Sequence, residues 1–560
     1  MEPSKQRIVI IGGVAAGMKT ACRLRRLDPT AHITVIDRTR NISYGACPLP
    51  YYIEGLFDDI NEVRKTPTGV LRDETFFAKV KGFETLTRTE ALEIKRTDKK
   101  VRLRNLDSGK EFELDYDKLV LATGNEPTIP PLPGMELSGV LPLKTMEQAQ
   151  EIDRLAHRGK NAVIIGAGLI GLEVAEALTA RGLNVTIIEM KDQVLATALD
   201  FSIAAMVHHE LKRNKVNLRL NEPLVRIEGA EHVTQVVTSK GTYPADLVLI
   251  AIGVRPAVQL AKDAGLTLGE TGAIAVNAYM QSSDPDIYAA GDCAECTDLL
   301  MKKKVYIPLG STANKHGRVV ANNIAGREEQ FPGILGSLAV KVFNLNVART
   351  GMSSRDAQLI GLKPESIVVS GPDFAHVYPG NNPIVIKLVV ERSSRKVLGV
   401  QVAGPGVVDK RVDVIATAIS LGATVDQIAQ LDLCYAPPFS NAMDALHQTA
   451  NAMRNKLDGL AESMSAVAVK KMMDNNEEFI LLDVRSPAEQ EKVRIKGATM
   501  MPLGALRQKL TELPVDALIV PFCKMSLRGY EAQLILQHAG FRNVRYMEGG
   551  VLGWPYELEK

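Results

Sequence analysis

The sequence predicts an α/β protein of several domains, two of them parallel-sheet units of the doubly wound kind. Three observations lead there. Strand–glycine–helix–strand segments occur twice, over 7–37 and 161–189. A strand and helix pattern restarts near Ser465. A chain of 560 residues exceeds what one hydrophobic core supports, so three or four domains are expected.

In the first segment, Arg7-Ile8-Val9-Ile10-Ile11 is a short buried-strand pattern running into Gly12-Gly13-Val14-Ala15-Ala16-Gly17. Met18 to Leu27 reads as a helix, and Ile33 to Ile36 as the next strand, ending at Asp37. Glycine and alanine at this turn let backbone N–H groups approach a pyrophosphate at the helix N-terminus. Asp37, 20 residues after Gly17, suits a ribose diol. Val14 occupies the usual place of a second glycine, so two later segments add weight. Leu119 to Leu121 leads into the small-residue turn Ala122-Thr123-Gly124, and Ile287 to Ala290 leads into Gly291-Asp292.

The second segment is a complete fingerprint: strand Asn161–Ile165, then Gly166-Ala167-Gly168-Leu169-Ile170-Gly171, a helix to about Arg181, and a strand from Asn184 to Ile188 ending at Glu189. Glu189 repels a 2′-phosphate and accepts a ribose hydroxyl, which favours NADH. Lys191 keeps NADPH open. Asp246 to Ile252 with Gly253-Val254-Arg255-Pro256 reads as the strand and turn that return the chain to the first domain.

Composition narrows the function. The formal charge of +2 argues against nucleic acid as a partner. No apolar run reaches the roughly 18 residues a bilayer span needs, and the polar N-terminus lacks a signal-peptide core. Six scattered cysteines form no disulfide framework, so a reducing cytoplasmic setting without membrane is expected. Cys47 lies in the Gly/Pro-rich stretch Ser43-Tyr44-Gly45-Ala46-Cys47-Pro48-Leu49-Pro50-Tyr51 with no second cysteine nearby. A single thiol must take its partner sulfur from a substrate, and attack requires the thiolate, so surroundings that lower its pKa are expected. Cys293 and Cys296 read as structural, without the second pair or histidines a zinc site needs, and no metal is expected. Cys22 reads as packing and Cys434 as incidental.

The two fingerprints, the Ala122-Thr123-Gly124 and Gly291-Asp292 turns and the Cys47 segment resemble the pyridine nucleotide-disulfide oxidoreductase family over roughly 7–450. Within it the likeness is to coenzyme A-disulfide reductases and NADH-dependent persulfide reductases, whose marks include a lone cysteine before Leu49-Pro50-Tyr51 and Leu433-Cys434-Tyr435-Ala436-Pro437-Pro438-Phe439. The resemblance implies an FAD-binding domain (1–150 and 256–330) with an NAD(P)H-binding domain (151–255) inserted in it. It also implies an α+β dimerisation domain (331–452) and a homodimer. Gly12, Gly13, Ala15, Ala16, Gly17, Asp37, Ala122, Thr123, Gly124, Gly291 and Asp292 would hold FAD, and Gly166, Gly168, Gly171, Glu189 and Gly253 would hold NADH. By the same resemblance, Arg23, Arg26 and Ser43 would meet the coenzyme A phosphates, suited to guanidinium forks. Tyr378 and Tyr435 would reach the partner subunit's site as hydrogen-bond or proton donors.

After a linker at 453–464, residues 465–560 resemble a single-domain rhodanese, an α/β module. Its strand Phe479 to Arg485, strand Ala517 to Phe522 and closing Glu548-Gly549-Gly550 frame Cys523-Lys524-Met525-Ser526-Leu527-Arg528. Such a loop wraps N–H groups around a thiolate or persulfide, aided by the charges of Lys524 and Arg528, before a helix begins near Gly529. The expected activity is NADH- and FAD-dependent reduction of persulfides, polysulfides or disulfides of coenzyme A and related thiols through Cys47. Cys523 would handle sulfane sulfur. Two alternatives stand beside it: an NADH oxidase or peroxidase cycling Cys47 through sulfenic acid, and a low-turnover sulfur carrier or redox sensor.

Overall fold

A computed structural model describes residues 6–157 and 160–559. The chain forms two compact units, Met1–Ile188 with Glu222–Ile334, and Glu189–Asn221 with Leu335–Lys560.

The first unit holds two parallel sheets. Strands β1 (Arg7–Ile11), β2 (His32–Ile36), β3 (Glu84–Leu86), β4 (Lys118–Leu121) and a later strand Ile287–Ala289 run in the order Ile287–Ala289, β4, β1, β2, β3. Every pairing is parallel. The runs Ile8–Ile11, Ile33–Ile36, Leu119–Leu121 and Ile287–Ala289 are buried, as a parallel sheet covered on both faces requires. Helix α1 (Ala16–Leu27) covers one face and packs against helix Gly310–Ile324 at very close range. A Cβ on Gly317 would collide with the Ala16 carbonyl. The helix begins at Ala16, two residues before the reading from sequence, because the turn itself is already helical at Ala15.

The second sheet comprises Val140–Leu141, Asn161–Ile165, Asn184–Ile188 and Leu247–Ile250, again parallel. Asn125–Pro127 and Val254–Pro256 pair antiparallel where the chain leaves the first fold and where it returns. This pair marks the insertion of one nucleotide fold within the other.

In the second unit, a five-stranded antiparallel sheet has the order Leu338–Val342, Leu345–Gly351, Val397–Gly404, Pro383–Glu391, Pro364–Pro372. Helix Phe201–Arg213 packs on this sheet. The reason is a buried polar anchor. Asp200 pairs with Lys387 Nζ at 2.8 Å, both side chains 11% exposed. The Asp200 backbone N–H donates to Gln401 Oε1 at 2.8 Å, and Gln401 Nε2 donates back to its carboxylate at 3.1 Å. Burial alone would raise Asp200, but the Lys387 ammonium holds it below the ordinary carboxylate range.

The C-terminal module has a parallel three-stranded sheet, Thr499–Met500, Ile480–Asp483 and Ile519–Phe522. Cys523 directly follows strand Ile519–Phe522. Helix Leu527–His538 starts two residues before the expected Gly529, so Arg528 lies in its first turn rather than in the loop. Helix Ala445–Leu457 extends into the residues expected as a linker.

Removing one partner of the Asp200–Lys387 pair leaves a buried charge uncompensated. Lys387→Met is expected to destabilise the protein by about 3 kcal/mol, read as a lowered urea midpoint, with Lys387→Met/Asp200→Asn recovering part of the loss.

Candidate active sites

In the first nucleotide fold the predicted residues come together at the C-terminal ends of parallel strands. Gly12 has φ +114°, and a Cβ there would strike the Ala122 carbonyl, so the β1–α1 turn and the Ala122-Thr123-Gly124 turn press together only because Gly12 has no side chain. Ala15, Ala16 and Gly17 open helix α1. Gly291 lies against Ala16, 3.0 Å from Ala16 Cβ to a built Cβ, and its N–H donates to His316 Nδ1 at 3.2 Å. Asp37 accepts from the Gly13 N–H at 2.7 Å and from Thr39 at 2.7 and 2.6 Å, which fixes the carboxylate beside the turn. Thr123 Oγ1 donates to the Ala257 carbonyl at 2.6 Å. Asp292 accepts from Asn125 Nδ2 at 2.7 Å, and burial raises its pKa.

In the inserted fold, a Cβ on Gly166 would strike the Ala251 carbonyl, and one on Gly171 the Gly166 carbonyl. Gly168 is the N-cap of helix Leu169–Ala180. Gly253 has φ +113° just before the returning strand. Glu189 directly follows strand Asn184–Ile188, and its Oε1 accepts from the Lys191 N–H at 2.9 Å.

Cys47 is exposed. Its segment is tied down by backbone bonds: Ser43 N–H to the Gly13 carbonyl at 2.7 Å and Gly45 N–H to the Val63 carbonyl at 2.9 Å. Ser43 sits at φ +54°. The short helix Leu49–Glu54 then packs on helix Leu169–Ala180, which brings Glu173 into the electrostatic surroundings of both Cys47 and Tyr51. The thiol pKa is raised, not lowered as expected. Desolvation on its protein side is the main cause, followed by the carboxylates of Glu173 and Asp292. The expectation came from what thiolate attack needs; the side chains around Cys47 are acidic. Glu173 is itself raised to about 7 by burial and by Glu176. Nothing in its sequence position, two residues past Gly171, pointed to Cys47; only the helix–helix packing does.

Arg23 donates to Asn322 Oδ1 at 2.9 Å. Its pKa is lowered by burial and by Arg318, Arg26 and Arg327, so four guanidinium groups share one neighbourhood. Arg318 and Arg327 lie some 300 residues from Arg23 in sequence, and the sequence reading missed both. It also missed Lys144, whose Nζ donates to the Asn125 carbonyl and whose pKa burial lowers, with Asp292 and Asp37 among the charges acting on it. Cys293 is buried and donates to the Leu121 carbonyl at 3.3 Å, while Cys296 lies 3.6 Å from His316 Nε2. Among the described residues no cluster of His, Cys, Asp and Glu is arranged to hold a metal ion, and no helix is long and apolar enough to cross a membrane.

In the second unit, Tyr378 and Tyr435 are exposed and sit on adjoining segments, joined by the Ala375 N–H to the Pro437 carbonyl at 3.2 Å. Beneath them Arg411, fully buried, pairs with Asp444 at 2.7 Å and donates to the carbonyls of Asp373 and Val407. Ser440 completes the group.

Cys523 is 2% exposed. Arg528 makes a bidentate pair with Glu489, both bonds 2.8 Å, which raises the guanidinium pKa and brings Glu489 down to about 2. Cys523 also contributes to the Arg528 shift, so the guanidinium lies within reach of the sulfur. The positive charge expected from Arg528 is therefore shared with a carboxylate, and the Lys524 side chain is exposed.

Residues 6–317 match the model of the pyridine nucleotide-disulphide oxidoreductases, 338–447 that family's dimerisation domain, and 465–556 a rhodanese-like domain. The chain is 37% identical over 456 residues to the NAD(P)H coenzyme A polysulfide/persulfide reductase of Pyrococcus horikoshii, covering 81% of this chain and 99% of that protein. It is 37% identical over 459 residues to an NADH oxidase of Methanocaldococcus jannaschii, with 80% and 99% covered. Among solved structures, an NAD-dependent persulfide reductase from A. fulgidus superposes with a TM-score of 0.94 at 43% identity, covering 98% of this chain and 100% of the other.

If Glu173 acts on Cys47, Glu173→Gln is expected to speed alkylation of Cys47 by iodoacetamide about two- to fivefold at pH 8.5, where wild-type Glu173 is ionised. At pH 5.5, where wild-type Glu173 is protonated, the two rates should coincide. Equal rates at both pH values would remove the coupling.

Proposed function

The chain belongs to the pyridine nucleotide-disulphide oxidoreductase family and carries a rhodanese-like domain, and from that premise we propose that it reduces coenzyme A persulfide, polysulfide or coenzyme A disulfide with NADH. Bound FAD, which the family uses together with NAD(P)H, supplies a two-electron relay between the nicotinamide and sulfur. The residues of the first fold fit that group: small residues at the β1–α1 turn, Asp37 beside it, and the Ala122–Gly124 and Gly291–Asp292 turns closing over the same place. The observation that carries the reading is an exposed, unpartnered Cys47 fixed by backbone bonds beside that site.

Cys47 attacks a sulfur of the incoming S–S bond as its thiolate. With coenzyme A persulfide the outer sulfur moves to Cys47 and the coenzyme A thiolate leaves; with the disulfide a mixed disulfide forms and one coenzyme A thiolate leaves. Net, NADH and a proton convert one S–S bond into two thiols, or into a thiol and hydrogen sulfide. Arg23 and Arg26 hold the anionic end of coenzyme A with Ser43, and Arg318 and Arg327 add charge to the same cluster. Tyr378 and Tyr435 supply phenols to the partner subunit's site in a homodimer, a reading their exposed rings on joined segments support. Cys523 accepts sulfane sulfur, with Arg528 beside the sulfur and Glu489 orienting the guanidinium.

A second reading, NADH oxidase or peroxidase through a Cys47 sulfenic acid, is favoured by the M. jannaschii relative. Anaerobic NADH oxidation with coenzyme A persulfide, coenzyme A disulfide, polysulfide and, in a separate arm, peroxide decides between them. Cys47→Ser is expected to lose sulfur-dependent turnover by about 10³-fold or more. Cys523→Ser should slow only substrates that enter through the rhodanese-like module. Peroxide turnover exceeding that with every sulfur substrate would favour the second reading, and unchanged rates in Cys47→Ser would remove both.

A further inference from the structure

The outer strand of the antiparallel sheet, Pro364–Pro372, is an edge with one neighbour, Pro383–Glu391. Three of its groups, at the alternate residues Ser366, Val368 and Ser370, are taken by the segment that closes the Cys523 loop or by Lys456 of helix Ala445–Leu457. The Ser366 carbonyl accepts from Lys456 Nζ at 2.8 Å, the Val368 N–H donates to Glu548 Oε2 at 3.0 Å, and Ser370 Oγ donates to the Gly549 carbonyl at 2.8 Å. Glu548, 3% exposed, also accepts from Lys456 at 2.8 Å and from Ser463 Oγ at 2.6 Å. Lys456 meets Glu365 at 3.0 Å as well, and although burial opposes it, Glu548 and Glu365 raise its pKa.

From Glu548 the contacts continue to the backbone of the Cys523 loop. The Gly549 N–H donates to Ser526 Oγ at 2.9 Å, the Val551 N–H to the Cys523 carbonyl at 2.9 Å and the Leu552 N–H to the Lys524 carbonyl at 3.0 Å. Gly550, at φ +57°, fits so tightly under the loop that a Cβ would strike the carbonyls of Cys523 and Met525. Residues 549–552 are thus the floor of the loop, and the floor is fastened to the edge strand.

We propose that Glu548 and Lys456 are positioning residues for Cys523, a buried carboxylate and its half-buried ammonium partner that set the loop floor from the antiparallel sheet and so tie sulfur uptake at Cys523 to that sheet. The proposal rests on the reading of Cys523 as a sulfane-sulfur carrier. Glu548 can do this because a buried carboxylate with an ammonium partner has one low-energy arrangement, and losing one member leaves the other uncompensated.

The test uses the full-length holoenzyme and inorganic polysulfide, with persulfidation of the Cys523 peptide followed by mass spectrometry. Glu548→Ala is expected to slow the maximal rate about tenfold with half-saturation within twofold of wild type, as a misplaced reacting group does. Glu548→Gln, which keeps an acceptor for Val368 and Ser463, should lose about threefold. NADH turnover with coenzyme A disulfide should stay within twofold in both. Iodoacetamide alkylation of Cys523, which needs no sulfur donor, should rise about threefold as the floor loosens. Should Glu548→Ala fail to fold, Ser370→Ala, which removes only the bond to Gly549, is expected to give about a threefold change in uptake and alkylation. Wild-type protein that takes up no sulfur at Cys523 sinks the carrier reading alone, since alkylation still reports on the anchor. Uptake and alkylation both within 1.5-fold of wild type in the folded variants, an upper bound of about 0.24 kcal/mol, overturn the proposal.

Discussion

Cys47 is held in place by backbone hydrogen bonds and has no second cysteine beside it, and much of the first unit is arranged around that fact. Its segment hangs from the Gly13 carbonyl through Ser43 and from Val63 through Gly45. The same Gly13 N–H binds Asp37, so the turn that suits a pyrophosphate and the segment that carries the thiol share one residue. Small shifts at that turn therefore act on nucleotide and sulfur together. Helix Leu49–Glu54, directly behind the cysteine, is pressed against the first helix of the inserted fold, so the second nucleotide site is mechanically joined to the first.

The electrostatics of this arrangement run against a ready-made thiolate. Burial and two carboxylates push the Cys47 thiol up, and Glu173 is half-neutralised near pH 7. Glu173 thus changes charge near neutral pH, and its charge acts on the Cys47 thiol. At Cys523 the chain makes another choice. A guanidinium held bidentately by Glu489 stands near a sulfur that is almost fully covered. Orientation of the cation is gained there at the expense of net charge.

Both nucleotide folds were legible in the sequence because four-residue aliphatic runs ending in glycine have few other uses. Strands Arg7–Ile11, Asn161–Ile165 and Asn184–Ile188 appear with the limits the sequence suggests. Long-range partners were not legible. Arg318 and Arg327 join Arg23 only because Gly317 lets two helices touch, and Glu489 meets Arg528 across the C-terminal module. Nor was the contact of helix Phe201–Arg213 with the antiparallel sheet, anchored through Asp200 and Lys387. In each case a tertiary contact decides what local pattern leaves open. The lowered thiol pKa was expected from the demands of chemistry rather than from neighbouring residues, and the neighbours are acidic.

Strand Pro364–Pro372 is nine residues long, and much of its length is Ile, Val and Ser. The C-terminal module takes the Val368 N–H and the Ser370 hydroxyl, so it covers part of what would otherwise be a naked β-edge. The fused module is in this sense a partial rim for the antiparallel sheet, and the sheet in turn a seat for the module.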